Sequence, residues 1–184
     1  MLFVGRHEPR KGLEVLVEAF AHLDLTVPVR LWVAGEGPQT AELRSRSAGD
    51  HRVVWLGRLD DDELVARLRA ADVLCAPALA GESFGIVLVE AMAARAVVVA
   101  SDIPGYSAVV SSHGVLVPPG DERALAGALS SVLAEVAGRR GCASAQSLEE
   151  AAAHARQWSM DAVARRYLEV YEQAVRDGNP SAGS

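Results

Sequence analysis

Two glutamates, Glu82 and Glu90, bracket the stretch Gly81-Glu82-Ser83-Phe84-Gly85-Ile86-Val87-Leu88-Val89-Glu90. A carboxylate can accept from two vicinal sugar hydroxyls at once. Between the two, Ser83 is expected to cap the first turn of a helix running from Ile86 to Ala94, and Gly85 lets the backbone come close to a ligand. A helix that begins just beyond a buried parallel strand aims its free N–H groups and positive dipole end at an anion. Anion donors with carboxylates on either side suit a phosphate-plus-sugar ligand, and a nucleotide sugar fits best. The plainer alternative makes Glu82 a solvated loop residue and Glu90 a polar helix face. Against it, Glu90 interrupts an otherwise apolar run on a helix expected to be buried, where an unpartnered carboxylate is costly, so a partner is expected.

The second chemical group is cationic. Arg6, Arg10 and Lys11 share one short loop, and Lys11 is the single lysine among the 18 basic residues. Arginine offers phosphate oxygens a bidentate fork and lysine a point charge, each such bond contributing roughly 1.5–3 kcal/mol. A solvated basic turn is the alternative for this loop. His7, inside it, is read as exposed rather than as a ligand contact.

These residues need a scaffold that brings two loops to one edge. Short apolar runs at Leu2–Val4, Val29–Ala34, Val53–Leu56, Val73–Ala76, Ala96–Ala100 and Val115–Val117 alternate with helical patterns, the first with Leu13, Leu16, Val17 and Phe20 at a 3.6 period. Six strand–helix alternations predict α/β architecture, a doubly wound six-stranded parallel sheet, Rossmann-like, with further helices from Asp121 to about Arg176. The last helix carries Val163, Tyr167, Val170, Tyr171 and Val175 as an inward stripe, expected to be partly exposed. In such sheets ligands bind at the C-terminal edge of the strands, which is where both loops fall. The Gly35-Glu36-Gly37-Pro38 turn is half of a dinucleotide fingerprint, but Thr40 replaces the third glycine and the turn follows the second strand. Pro38 at a first helical position explains it without a nicotinamide cofactor.

Half of the 184 residues are hydrophobic and the net charge is −6, so one packed domain over residues 1–177 is expected, with a disordered tail at 178–184 and no nucleic-acid surface. No run is long enough for a membrane span. Cys75 and Cys142 lack metal-ligand spacing and are read as reduced thiols of a cytoplasmic protein.

Taken in order, Gly5-Arg6-x4-Lys11-Gly12, Gly35-x-Gly37-Pro38, Gly81-Glu82-Ser83-Phe84-Gly85 and Glu82-x7-Glu90 followed by Ala91-Met92-Ala93 resemble the nucleotide-sugar half of the retaining GT-B glycosyltransferases of the Glu-x7-Glu group. Within that group Glu8-Pro9-Arg10-Lys11-Gly12 and Arg69-Ala70-Ala71-Asp72-Val73-Leu74-Cys75-Ala76-Pro77 are most similar to the actinobacterial phosphatidylinositol mannosyltransferases. The resemblance runs from Phe3 to about Ala174 and implies roles. Arg6 and Lys11 would bind the donor diphosphate and stabilise the leaving nucleoside diphosphate. Glu82 would hold the transferred sugar, with Gly5, Ser83, Phe84, Gly85 and Ile86 around phosphate and sugar. Glu90 would take the ribose diol, and Leu59 with Asp61 the base. A carboxylate beside the base suits guanine, whose N1 and N2 are both donors, and so favours GDP-mannose over UDP sugars. Transfer would retain anomeric configuration with neither metal nor cofactor.

Two departures accompany the likeness. Arg95 stands where the group usually has glycine, just past the motif helix. The group's acceptor-binding domain precedes this one, whereas here the sequence opens on the first strand, so the expectation is a donor half, excised or paired with a separate acceptor-domain chain, and peripheral at a membrane in a full-length enzyme. The alternative is a non-catalytic nucleotide-sugar-binding or regulatory module, which shares every motif. An epimerase of the same architecture would need additional acid/base residues, which the sequence does not locate.

Overall fold

The computed structural model describes residues 1–23 and 28–178. Six strands, β1 (Leu2–Val4), β2 (Leu31–Ala34), β3 (Val53–Gly57), β4 (Val73–Ala76), β5 (Val97–Ser101) and β6 (Val115–Val117), form one sheet in the order β3-β2-β1-β4-β5-β6. Every pairing is parallel. The helices are α1 (Leu13–Ala21), α2 (Thr40–Arg46), α3 (Asp61–Ala70), α4 (Ile86–Ala93), α5 (Pro104–Val110), α6 (Glu122–Gly138), α7 (Ala145–Arg156) and α8 (Met160–Gly178).

Both sheet faces are covered, which is why β4 and β5 read as continuous apolar runs. Alternation along β5 sends Val97 and Val99 into a core with Leu13, Phe20 and Leu129, and Val98 and Ala100 into a second core with Leu88, Met92 and Ala155. Chain order reverses between β1 and β4, so the crevice of the doubly wound sheet opens there.

Local signals explain most boundaries. Asp60 caps α3 through a complete capping box with Glu63, and Asp121 caps α6 by accepting from the Ala124 amide at 2.9 Å. Three details differ from the sequence reading. Pro38 lies in the turn ahead of α2 and not at its first position. Ser83 does not cap α4: Gly85 occupies the N-cap in a left-handed conformation (φ 80°), two residues beyond the reach of that hydroxyl. The α8 stripe, expected inward and only partly exposed, is exposed at Tyr167, Val170, Tyr171 and Val175 alike. Gly178 ends α8, and the rest of the expected tail, 179–184, lies outside the described residues.

Arg95 adopts the left-handed turn (φ 63°) that glycine would adopt without strain, and its guanidinium forks onto Glu149 of α7 at 2.6 and 3.0 Å.

Candidate functional site

The loop after β1 reaches the switch point because two glycines let backbones touch. Gly12 is left-handed (φ 69°), and a Cβ there would lie 1.9 Å from the Pro77 carbonyl in the loop after β4. Gly35 faces Gly5 in the same way, its Cβ position only 2.0 Å from the Gly5 carbonyl. The Arg6–Lys11 loop is therefore clamped between the loops after β2 and β4. The Leu79 amide donating to the Arg10 carbonyl at 2.8 Å completes the clamp.

This juxtaposition builds an ion triad. One oxygen of Glu82 receives both the Lys11 ammonium at 2.6 Å and the Arg10 guanidinium at 2.5 Å. Arg10 also reaches Glu8 at 2.7 Å. Arg6 stands apart, exposed, with Glu8 no nearer than 3.9 Å. The sequence grouped the three cations but assigned Lys11 and Glu82 to separate parts of a ligand; the structure couples them directly.

Three adjoining cavities follow the C-terminal edge. The largest, about 980 Å³, includes Gly5, Arg6, Glu36, Arg58 and Leu59 in its wall. A second, about 330 Å³, lies between α3 and α4 with Asp61, Arg69 and Glu90, and shares Leu64 with the first. A third, about 200 Å³, holds Lys11, Glu82, Gly85, Ile86 and Tyr106, and shares Val4 with the first. The cleft thus runs from Asp61 and Glu90, past Arg6, to Lys11 and Glu82.

Gly85 starts α4 at the third cavity. The Leu88 amide bonds the Gly85 carbonyl at 2.9 Å, while the Ile86 and Val87 amides are first-turn donors without partners in the helix. Ile86 itself is 59% exposed, although the apolar run suggested burial. Ser83 is exposed at the rim, and Phe84 packs edge-on against Trp158 with ring centroids 5.0 Å apart.

Glu90 is half-buried on the cleft side of α4. The partner expected for it is missing: among the described residues it forms no ion pair, and the charge that acts on it is another carboxylate. Burial first, and then Asp61, hold the Glu90 carboxyl above its ordinary range. Arg69 lines the same cavity without forming an ion pair with Glu90 among the described residues.

His7 was expected at the surface and is completely buried (0% exposed). Its Nδ1 lies 2.8 Å from the Thr40 hydroxyl, which in turn bonds the backbone of Gly37. Burial holds the imidazole below the usual histidine range. The missed signal is the glycine pair: a Cβ at Gly37 would come within 2.5 Å of the His7 carbonyl, so those glycines serve an internal contact. Neither thiol is activated, burial pushing Cys142 up to about 12 and Cys75 higher still. Among the described residues no group of three or more His, Cys, Asp or Glu could hold a metal ion, and no helix is long and apolar enough to cross a membrane.

A family model described as Glycosyl transferases group 1 matches residues 1–135. The chain belongs to that family. Among curated relatives of this glycosyltransferase domain is the phosphatidyl-myo-inositol mannosyltransferase of Mycobacterium leprae, 40% identical over 185 residues, covering 97% of this chain and 48% of the relative. The chain therefore spans about half the length of the curated relatives it matches. In fold it is similar to a glycosyltransferase from Rickettsia africae (TM-score 0.79, 22% identity, 95% of this chain and 47% of that one). It is also similar to Alr3699/HepE of Anabaena in complex with UDP and glucose (TM-score 0.76, 24% identity, 94% and 48%). The six-stranded sheet is thus the Rossmann-like unit of GT-B glycosyltransferases.

Proposed function

We propose that this domain binds a nucleoside-diphosphate sugar, of the GDP-mannose type, and presents it for retaining transfer of the hexose. The observation that carries the proposal is the order of groups over three adjoining cavities: carboxylates Asp61 and Glu90 in one, Arg6 in the next, and Lys11 with Glu82 in the third beside the first turn of α4.

Each group has a task that its environment supports. Glu90 and Asp61 repel one another across a half-buried space, so ribose hydroxyls donating to Glu90 stabilise the ionised carboxylate. Asp61, at the first position of α3, accepts from a purine bearing two adjacent donors. Arg6 is exposed within the large cavity and available to a diphosphate. The Ile86 and Val87 amides aim at the same anion. Glu82 starts with two cations on one oxygen, which is more positive charge than it needs. A phosphate can draw Lys11 away while Arg10 stays, leaving Glu82 free to accept from hexose hydroxyls. As the sugar–phosphate bond breaks, Arg6, Lys11 and the α4 terminus stabilise the charge on the departing diphosphate.

Transfer also needs an acceptor and exclusion of water, and the cleft here is open on one side. We propose that an acceptor-binding domain closes over it and seats on α8, whose outward tyrosines and valines supply a ready apolar face. The setting is the cytoplasm, where nucleotide sugars and reduced thiols coexist.

Calorimetric titration with GDP, GDP-mannose, UDP-glucose and UDP-N-acetylglucosamine tests this. Saturable binding of GDP and GDP-mannose, tighter than that of the uridine pair, is the expected result. A chain that binds no nucleoside diphosphate refutes it.

A further inference from the structure

The third cavity contains a side chain with no assigned task. Tyr106, at the third position of α5, is 3% exposed and shares the wall with Lys11, Glu82, Gly85 and Ile86. Its placement is tightly determined. A Cβ at Gly105 would lie 2.1 Å from the Glu82 carbonyl, so the first turn of α5 presses against the Glu82–Ser83 peptide. A Cβ at Gly85 would meet the Tyr106 ring carbons Cε1 and Cδ1 at 2.6 and 2.8 Å, so the ring packs directly against the residue that caps α4. Only glycine at both positions lets an aromatic ring approach this closely.

The ring has a packing role; the hydroxyl does not. No hydrogen bond to it is made among the described residues, yet it is not sealed from open space. Open to the cavity, the phenol can exchange water for a ligand hydroxyl, both donating and accepting. Its proton is firmly held: burial, and then the negative charge of Glu82, push the phenol well above its ordinary range, with Arg10 opposing. A neutral donor therefore stands near a carboxylate in a cavity of about 200 Å³, below the ~300–1,000 Å³ of drug-sized sites and on the scale of one ring.

We infer that Tyr106 is a specificity-determining residue for the transferred sugar, its phenol hydrogen-bonding one hydroxyl of the hexose whose neighbouring hydroxyls go to Glu82. This rests on the nucleotide-sugar reading of the cleft. A polyol suits the pair better than a phosphate does. It can donate to the carboxylate while accepting from the phenol, whereas a phosphate has no proton to give Glu82 and is served by Lys11 instead.

Tyr106→Phe keeps the ring on Gly85 and removes only the oxygen. Titration of wild type and variant uses GDP, GDP-mannose, UDP and UDP-glucose, followed by monodeoxy forms of whichever sugar nucleotide binds. The thermal midpoint of each protein is recorded alongside. The expected result is unchanged affinity for the nucleoside diphosphate, about 5-fold weaker binding of its sugar conjugate, and one monodeoxy donor that binds both proteins equally. Equal weakening of diphosphate and conjugate overturns the inference and makes Tyr106 a support of the α4 terminus. No change with any ligand overturns it too, leaving Tyr106 a core residue. Failure of wild type to bind any of the four nucleotides removes the nucleotide-sugar reading, and this inference with it.

Discussion

Replacing Lys11 by alanine probes the centre of the cleft, and the structure sets its size. A charge-assisted hydrogen bond to phosphate contributes roughly 1.5–3 kcal/mol. In the free protein the ammonium is already engaged with Glu82 at 2.6 Å, the two side chains being 21% and 12% exposed. Loosening a partly solvated pair of this kind costs about 0.5–1 kcal/mol. The net loss on Lys11→Ala is then ~1–2 kcal/mol, roughly 5- to 30-fold in GDP affinity. Guanosine, which lacks the diphosphate, should bind both proteins alike. Lys11→Arg should recover part of the loss, since a planar fork approaches phosphate differently from a point charge. Stability should hardly change, because Arg10 still neutralises Glu82. The same competition predicts an opposite companion effect: Glu82→Gln releases Lys11, so GDP should bind more tightly while the preference for GDP-mannose over GDP declines. The assay is calorimetric titration of GDP, GDP-mannose and guanosine against all four proteins. Unchanged GDP affinity in Lys11→Ala, or an equal loss for guanosine, would remove Lys11 from the diphosphate site.

Asp61→Ala should weaken GDP more than UDP, by about 1–3 kcal/mol, because a guanine donor pair loses its charged acceptor; equal effects on both nucleotides would return Asp61 to a purely helical role at the start of α3. Glu90→Gln should act with opposite signs on binding and folding. The folded carboxyl titrates above its ordinary 4.5, so the folded chain holds more protons and stability falls as pH rises from 4.5 through the raised value. The glutamine variant should therefore unfold at higher temperature than wild type at neutral pH without ligand, yet bind nucleotide more weakly; a less stable variant contradicts the raised titration that burial, and then Asp61, impose on Glu90. For His7 the direction reverses. Its folded value lies below 6.5, the unfolded chain holds more protons between the two, and stability declines as pH drops from 6.5 through the lowered value. Urea midpoints followed downward from about pH 7.5 should slope less in His7→Asn than in wild type, and parallel slopes would show that His7 does not titrate on unfolding.

Periodicity and capping made the fold legible, whereas pairing across the sheet edge was hidden. The apolar runs of β4, β5 and β6 and the caps at Asp60 and Asp121 are local facts, carried by a few adjacent residues, and they survive folding unchanged. The α8 stripe was equally legible as a pattern, but a pattern specifies an apolar face and not what covers it. His7 was misplaced because a lone loop histidine has no periodicity to betray burial; what buries it is Gly37, thirty residues away in sequence.

The site divides along the same line. Residue types for a phosphate and a sugar could be read from Lys11, Glu82 and Glu90, yet neither the ion triad nor the empty partner position of Glu90 could. Arg10 and Glu82 are 72 residues apart, and the contact of Gly12 with Pro77, with the Leu79–Arg10 hydrogen bond, makes them neighbours. That contact also has a chemical consequence. With one carboxylate oxygen holding two cations, the free site is nearly neutral at the sugar end and carries its surplus positive charge on groups that can move. On the proposed donor reading, an arriving diphosphate would have only to redistribute Lys11, so that the charge recruiting the donor and the carboxylate orienting its sugar would be released in the same step. A glutamate that stayed unpaired would repel the diphosphate before its sugar could be held, and a lysine without that glutamate would bind free phosphate without discrimination. The coupling of Lys11 to Glu82 supplies what either residue alone would lack.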